Sequence, residues 1–143
     1  MAIQNIFVVG AGLMGSGIAQ TAMTSGYHVI LNDQRQETLE RAQMGIESRL
    51  KHMVEKGTMS EEEFQDCMGR LKIDTRLSAA READLVVEAI FENLEAKQAV
   101  FRQLEEICPD HTIFASNTSS ISLTALAAAT KRPSRVVGMH FFS

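Results

Sequence analysis

The chain has two cysteines, no block of like charge, no apolar run long enough to span a bilayer, and no repeat or low-complexity tract. Each shortage excludes something. Cys67 and Cys108 stand too far apart for metal-ligand spacing, and two thiols in such a composition read as reduced core residues rather than a disulfide. Without a basic block, and with a net charge of −4, nucleic acid is an unsuitable partner. No signal-like N-terminus or spanning segment is visible, so the expectation is a cytoplasmic protein with no membrane contact. What remains, 45% apolar and 22% charged residues over 143 positions, suits one soluble domain spanning 1–143 with a real core.

The most informative stretch lies near the start. Ile3 to Val9 is apolar and β-branched, and it runs into Gly10-Ala11-Gly12-Leu13-Met14-Gly15, after which a helical pattern begins. In a strand–turn–helix each glycine has a role. Gly10 turns the chain sharply, Gly12 lets a pyrophosphate approach the backbone, and Gly15 packs the helix against the strand. The helix's free N–H groups and positive dipole end would hold the phosphate charge. A second strand, Tyr27 to Leu31, leads to Asp33, 18 residues after Gly15. A carboxylate there accepts ribose hydroxyls and repels a 2′-phosphate, which favours NAD over NADP. Arg35 points the other way, and a glycine-rich turn with no ligand is the plain alternative.

The rest of the chain alternates helix and strand. A helix from Leu13 to Ser25 closes at Gly26. A helical hairpin follows, its first arm marked by Leu39, Ala42, Ile46, Leu50 and Met53 and ended by Gly57. Its second arm starts with a Ser60/Glu63 capping box and a Met59/Phe64 staple. Strands are expected at Leu71–Thr75, Asp84–Ala89, Thr112–Ser116 and Arg135–His140. Helices are expected at Leu94–Cys108 and Leu123–Ala129, with a short helical turn after Ser78. This rhythm implies parallel βαβ units. The fold class is α/β: a Rossmann doubly wound parallel sheet, order 3-2-1-4-5-6, with a helical hairpin between strands 2 and 3.

Ligands of such sheets bind beyond the carboxyl ends of the strands. Three groups of residues fall there. Glu92 and Lys97 follow the fourth strand, and Lys97 lies on the apolar stripe in the first turns of its helix, where a cation meets the dipole unfavourably. It needs Glu92 or a cofactor as partner, unless its stem packs and its ammonium snorkels to water. Asn117 and Ser119 follow the fifth strand, placed either to bind a nicotinamide or substrate oxygen or to cap the next helix, for which Ser122 is the expected cap. His140 closes the sixth strand, where an imidazole can move protons.

Together GAGLMGSGIAQ, Asp33, VVEAIFENLEAK, FASNTSS and GMHFFS resemble the NAD domain of short-chain L-3-hydroxyacyl-CoA dehydrogenases, including the bacterial 3-hydroxybutyryl-CoA dehydrogenases of fatty acid metabolism. The resemblance implies that Gly10, Ala11, Gly12, Leu13, Met14 and Gly15 hold the pyrophosphate of NAD and Asp33 its adenine ribose. It implies that Glu92 and Lys97 lie on the nicotinamide side, with Asn117 and Ser119 beside the nicotinamide and the substrate's 3-oxygen. His140 is then the general base for an acyl-CoA substrate. The family's hairpin contacts CoA, and Arg49, His52 and Lys56 share one helix face suited to phosphates, though a solvated basic face explains them equally. The family continues beyond HFF into a helical domain that carries the histidine's glutamate partner and the oligomer interface, and that continuation is not in this sequence. A stand-alone dinucleotide-binding or sensor module is therefore the second reading, with another β-hydroxyacid dehydrogenase as a third.

Overall fold

The computed structural model describes residues 2–139, apart from the side chains of Ser120 and Ile121. Six strands form one sheet in the order 3-2-1-4-5-6: β1 (Asn5–Val9), β2 (His28–Asn32), β3 (Leu71–Asp74), β4 (Leu85–Glu88), β5 (Ile113–Ser116) and β6 (Val136–Gly138). Every neighbouring pair is parallel. The helices are α1 (Leu13–Thr24), α2 (Gln36–Glu55), α3 (Glu61–Gly69), α4 (Leu94–Ile107) and α5 (Ser120–Ala128), with a 3-10 turn at Leu77–Glu82 and another at Pro133–Arg135.

The central strand, β1, is apolar from Ile6 to Val9 because both of its faces are covered there. Ile6 and Val8 of β1 point to one side, where α1, α2 and α3 bring Ile18, Met23, Leu39, Ile46, Leu50 and Phe64. Phe7 and Val9 point to the other, where they meet Phe101 and Leu104 of α4, Phe114, and Leu126 of α5. Cys67 and Cys108, both free, are buried one in each layer. Burial pushes the Cys108 thiol up to about 11, outweighing the Arg132 charge and the Thr112 hydrogen bond that act the other way, and this keeps it protonated.

The hairpin forms as its sequence requires. Ser60 accepts from the Glu63 amide at 3.0 Å and Glu63 returns to the Ser60 amide at 3.4 Å, while Met59 and Phe64 are both buried. Gly26 and Gly57, after α1 and α2, take positive φ. Element ends differ from the sequence reading by a residue or two, except that α5 starts three residues earlier. The sixth strand, Val136–Gly138, starts one residue late, after a 3-10 turn opened by Pro133, and the expected end at His140 lies outside the described residues.

Candidate functional site

The carboxyl ends of β1, β2, β4 and β5 share one edge of the sheet. At its centre the glycine turn is fixed by two bonds from its backbone amides. The Gly10 amide donates to the Asn32 carbonyl at 2.8 Å, and the Ala11 amide donates to Asp33 Oδ2 at 3.0 Å. Gly10 has φ +103°, and a Cβ on it would lie 2.6 Å from the Ala89 carbonyl oxygen. A Cβ on Gly15 would lie 1.6 Å from the Gly10 carbonyl oxygen. These two glycines are demanded by the protein itself.

Gly12 is different. Nothing lies within 4 Å of the place its Cβ would take. Its φ of −74° is open to any residue, so the chain makes no demand for glycine there. Gly12 is also the N-cap of α1, where it supplies no capping side chain, and the first turn holds no acid. An empty cradle over an uncapped helix start is what a pyrophosphate requires. Leu13 is 90% exposed beside it, and Met14 is also exposed.

Asp33 stands at the tip of β2, as its position in the sequence implied. Oδ2 holds the Ala11 amide, and Oδ1 accepts from the Arg35 amide at 3.1 Å. One carboxylate thus ties the glycine turn to the entry of α2. Each oxygen keeps a lone pair for a ribose hydroxyl.

Across the turn, the ends of β4 and β5 carry a buried polar network. Lys97 in the first turns of α4 is 2% exposed, so its ammonium does not snorkel. Its Nζ lies 3.1 Å from Glu92 Oε1 and 3.2 Å from Glu88 Oε1. Glu88 ends β4 and is fully enclosed. It also accepts from Ser116 Oγ at 2.5 Å and from the Ile90 amide at 2.8 Å. Glu92, whose side chain is 70% exposed, accepts from Thr118 Oγ1 at 3.0 Å. The Lys97 ammonium, and then the Thr118 hydroxyl, hold the Glu92 carboxyl below the usual carboxylate range. Among the described residues no buried side-chain nitrogen or oxygen lacks a partner, so this network is satisfied.

Glu88 is the residue that sequence reasoning missed. Its signal was present: a carboxylate inside an apolar strand that the fold buries on both faces must find a cation. Lys97, nine residues on, was its partner.

Asn117 and Ser119 follow β5 on the same edge. Asn117 Nδ2 donates to Met14 Sδ at 3.3 Å, bridging the β5 loop to α1. Ser119, not Ser122, caps α5: its Oγ accepts from the Ser122 amide at 3.3 Å, and the helix begins three residues earlier than the pattern implied. With Ser119, Ser120 and Ser122 all able to cap, composition does not choose between them. The geometry does, by which hydroxyl meets an amide three residues on. Ser119 accepts in that bond and retains its own proton to donate. His140 lies outside the described residues. Before it, the Met139 amide donates to the Ser116 carbonyl at 3.0 Å.

The basic face of α2 is rearranged. Arg49 turns onto α1, with Nε donating to Gln20 Oε1 at 2.7 Å and Nη2 to Ser16 Oγ at 3.4 Å. His52 lies 3.9 Å from Glu55, and Lys56 is exposed beyond the helix end. The structure therefore does not gather Arg49, His52 and Lys56 into one cluster. A cavity of about 320 Å³ opens beside the Leu77–Glu82 turn, against the amino-terminal halves of β1 and β2, and none of the candidate-site residues lines it. Among the described residues there is no cluster of metal-ligating side chains, and no helix is long and apolar enough to cross a membrane.

A parallel sheet of this order, with an open glycine cradle at its switch point and an acidic residue at the tip of β2, defines a dinucleotide-binding Rossmann domain. Residues 5–143 match the family described as "3-hydroxyacyl-CoA dehydrogenase, NAD binding domain", and the chain belongs to that family. It is 47% identical over its full length to the probable 3-hydroxybutyryl-CoA dehydrogenase of Bacillus subtilis, covering 50% of that protein. It is 46% identical over 141 residues, 99% of its length, to the 3-hydroxyadipyl-CoA dehydrogenase of Escherichia coli, of which it covers 30%. The crystal structure of 3-hydroxybutyryl-CoA dehydrogenase from E. coli superposes with a TM-score of 0.96 at 45% identity, over all of this chain and 30% of that one. The chain thus spans half or less of the length of these relatives, matching their N-terminal part.

Proposed function

We propose that this chain is the cofactor-holding half of an enzyme that oxidises (S)-3-hydroxyacyl-CoA, with 3-hydroxybutyryl-CoA as the substrate type, to 3-oxoacyl-CoA. The observation that carries the reading is the convergence of the Gly12 cradle, Asp33, the Glu92–Lys97 pair and the Asn117/Ser119 loop on one sheet edge. NAD, when bound, supplies the hydride acceptor. Gly10 to Gly15 hold the pyrophosphate against the start of α1, and Asp33 takes the adenine ribose. That direction leaves the ends of β4 and β5 for the nicotinamide half. Ser119 donates a hydrogen bond to the substrate's 3-oxygen, and Asn117 lies beside it. His140 removes the 3-hydroxyl proton while the C3 hydrogen leaves with its electron pair. The names of the B. subtilis and E. coli relatives support a hydroxyacyl-CoA substrate.

The chain as given binds NAD but turns over little, since it spans half or less of the length of the relatives named as dehydrogenases. The test is oxidation of NADH by acetoacetyl-CoA, with His140→Ala as control. Rates near those of a full-length relative, abolished in the control, would refute this part of the reading.

A further inference from the structure

Lys97 is shared by two carboxylates of opposite character. Glu88 is enclosed, with three donors on its two oxygens: Lys97 Nζ, Ser116 Oγ and the Ile90 amide. Glu92 is largely exposed, and besides Lys97 it holds only Thr118 among the described residues. Two negative charges face one positive charge, so the group carries one unit of negative charge in excess. The buried partner cannot give up the ammonium, because an unpaired carboxylate there would be uncompensated. Lys97, at 3.2 Å from Glu88 and 3.1 Å from Glu92, is therefore shared, and Glu92 keeps part of its charge at the surface of the edge.

We propose that Glu88 is a specificity-determining residue that acts through Lys97: by sharing the ammonium it leaves the Glu92 charge only partly cancelled beside the nicotinamide half of the site, which favours the oxidised, cationic ring over the reduced, neutral one. This rests on the cofactor placement argued above. It assigns Glu88 a role distinct from packing, since a neutral residue of the same shape would fill the same space. The same group ties β4 to β5 through Ser116 and to the loop through Thr118, so the charge is held on a fixed frame.

The test compares affinities for NAD+, NADH and ADP-ribose by calorimetry in the unaltered chain, Glu88→Gln, Glu92→Gln and the double variant Glu88→Gln/Lys97→Met. Glu88→Gln leaves Lys97 to Glu92 alone, and the NAD+ to NADH affinity ratio should fall on the order of fivefold, as for one unit charge cancelled in a partly solvated edge. Glu92→Gln removes the excess charge directly and should lower the ratio alike. The double variant removes a neutral pair and should return the ratio to within about twofold of the original, since that is the expectation for charges that cancel. ADP-ribose, which lacks the ring, should bind all four chains alike.

A ratio unmoved by Glu88→Gln, or ADP-ribose affinity falling in step with NAD+, would overturn the inference. If Glu88→Gln does not fold, the other two variants decide. A raised ratio in the double variant would show Lys97's charge reaching the ring uncancelled, and an unchanged ratio in Glu92→Gln would show no excess charge there. Either result overturns the proposal. If the unaltered chain binds neither NAD+ nor ADP-ribose, the functional reading itself fails, and this inference with it.

Discussion

Substituting Gly15 and Gly12 separately divides what the fold requires from what the ligand requires. A methyl group on Gly15 would meet the Gly10 carbonyl oxygen at 1.6 Å, and that oxygen belongs to a turn anchored through the Gly10 and Ala11 amides. Backbone held in this way does not yield cheaply, so Gly15→Ala should lose about 3 kcal/mol or more, the upper end for overpacking. That is a large share of the roughly 5–15 kcal/mol that stabilises an ordinary domain. Gly12 has open space where its Cβ would be and no positive φ, so Gly12→Ala should change stability by under about 1 kcal/mol. It should nevertheless weaken NAD at least tenfold, about 1.4 kcal/mol, because the methyl occupies the approach of the pyrophosphate. Urea unfolding without ligand reads the first quantity and calorimetric titration with NAD the second. Gly12→Ala binding NAD as tightly as the unaltered chain would refute the cradle, and equal destabilisation by the two substitutions would refute the packing argument.

Other perturbations follow from the same geometry. Asp33→Ala should narrow the gap in affinity between NAD and NADP; an unchanged gap would move the choice to Arg35. Lys97→Ala strands the Glu88 carboxylate in a closed site and should cost about 3–5 kcal/mol of stability in urea unfolding, whereas a loss under about 1 kcal/mol would mean that water reaches Glu88. Asp84 accepts from the Asn5 and Gln4 amides at 2.9 Å each and meets His111 at 2.9 Å, and these bonds, that to Asn5 foremost, hold its carboxyl below the usual range. A lowered carboxyl pKa contributes stability above its unfolded value that is lost as pH falls through its folded value. The stability gap between the unaltered chain and Asp84→Asn should therefore be full at neutral pH and narrow as pH falls below about 4. A gap that widens or stays constant as the pH falls below that point would contradict the assignment.

The sheet order was legible because each strand is a short apolar run between helical patterns, and because the glycine turn marks where the order reverses. Helix starts were less so. At Ser60 the Met59/Phe64 staple singled out the capping hydroxyl and the reading held, whereas before α5 three serines competed and the wrong one was chosen. Pairings between distant residues were invisible for a different reason. Periodicity places Arg49 on a face of α2 but not Gln20 opposite it, and it places Lys97 beside Glu92 but says nothing of a carboxylate in the neighbouring strand. The glycines show the converse. Sequence names three of them in one motif, and only the surroundings separate the two that the fold needs from the one it leaves open.

The most direct test of the account is calorimetric titration of this chain with NAD and, separately, NADP. One NAD should bind per chain, and NADP should bind at least about tenfold more weakly, as the Asp33 carboxylate at the tip of β2 requires. Failure to bind NAD, or equal affinity for the two, would contradict it.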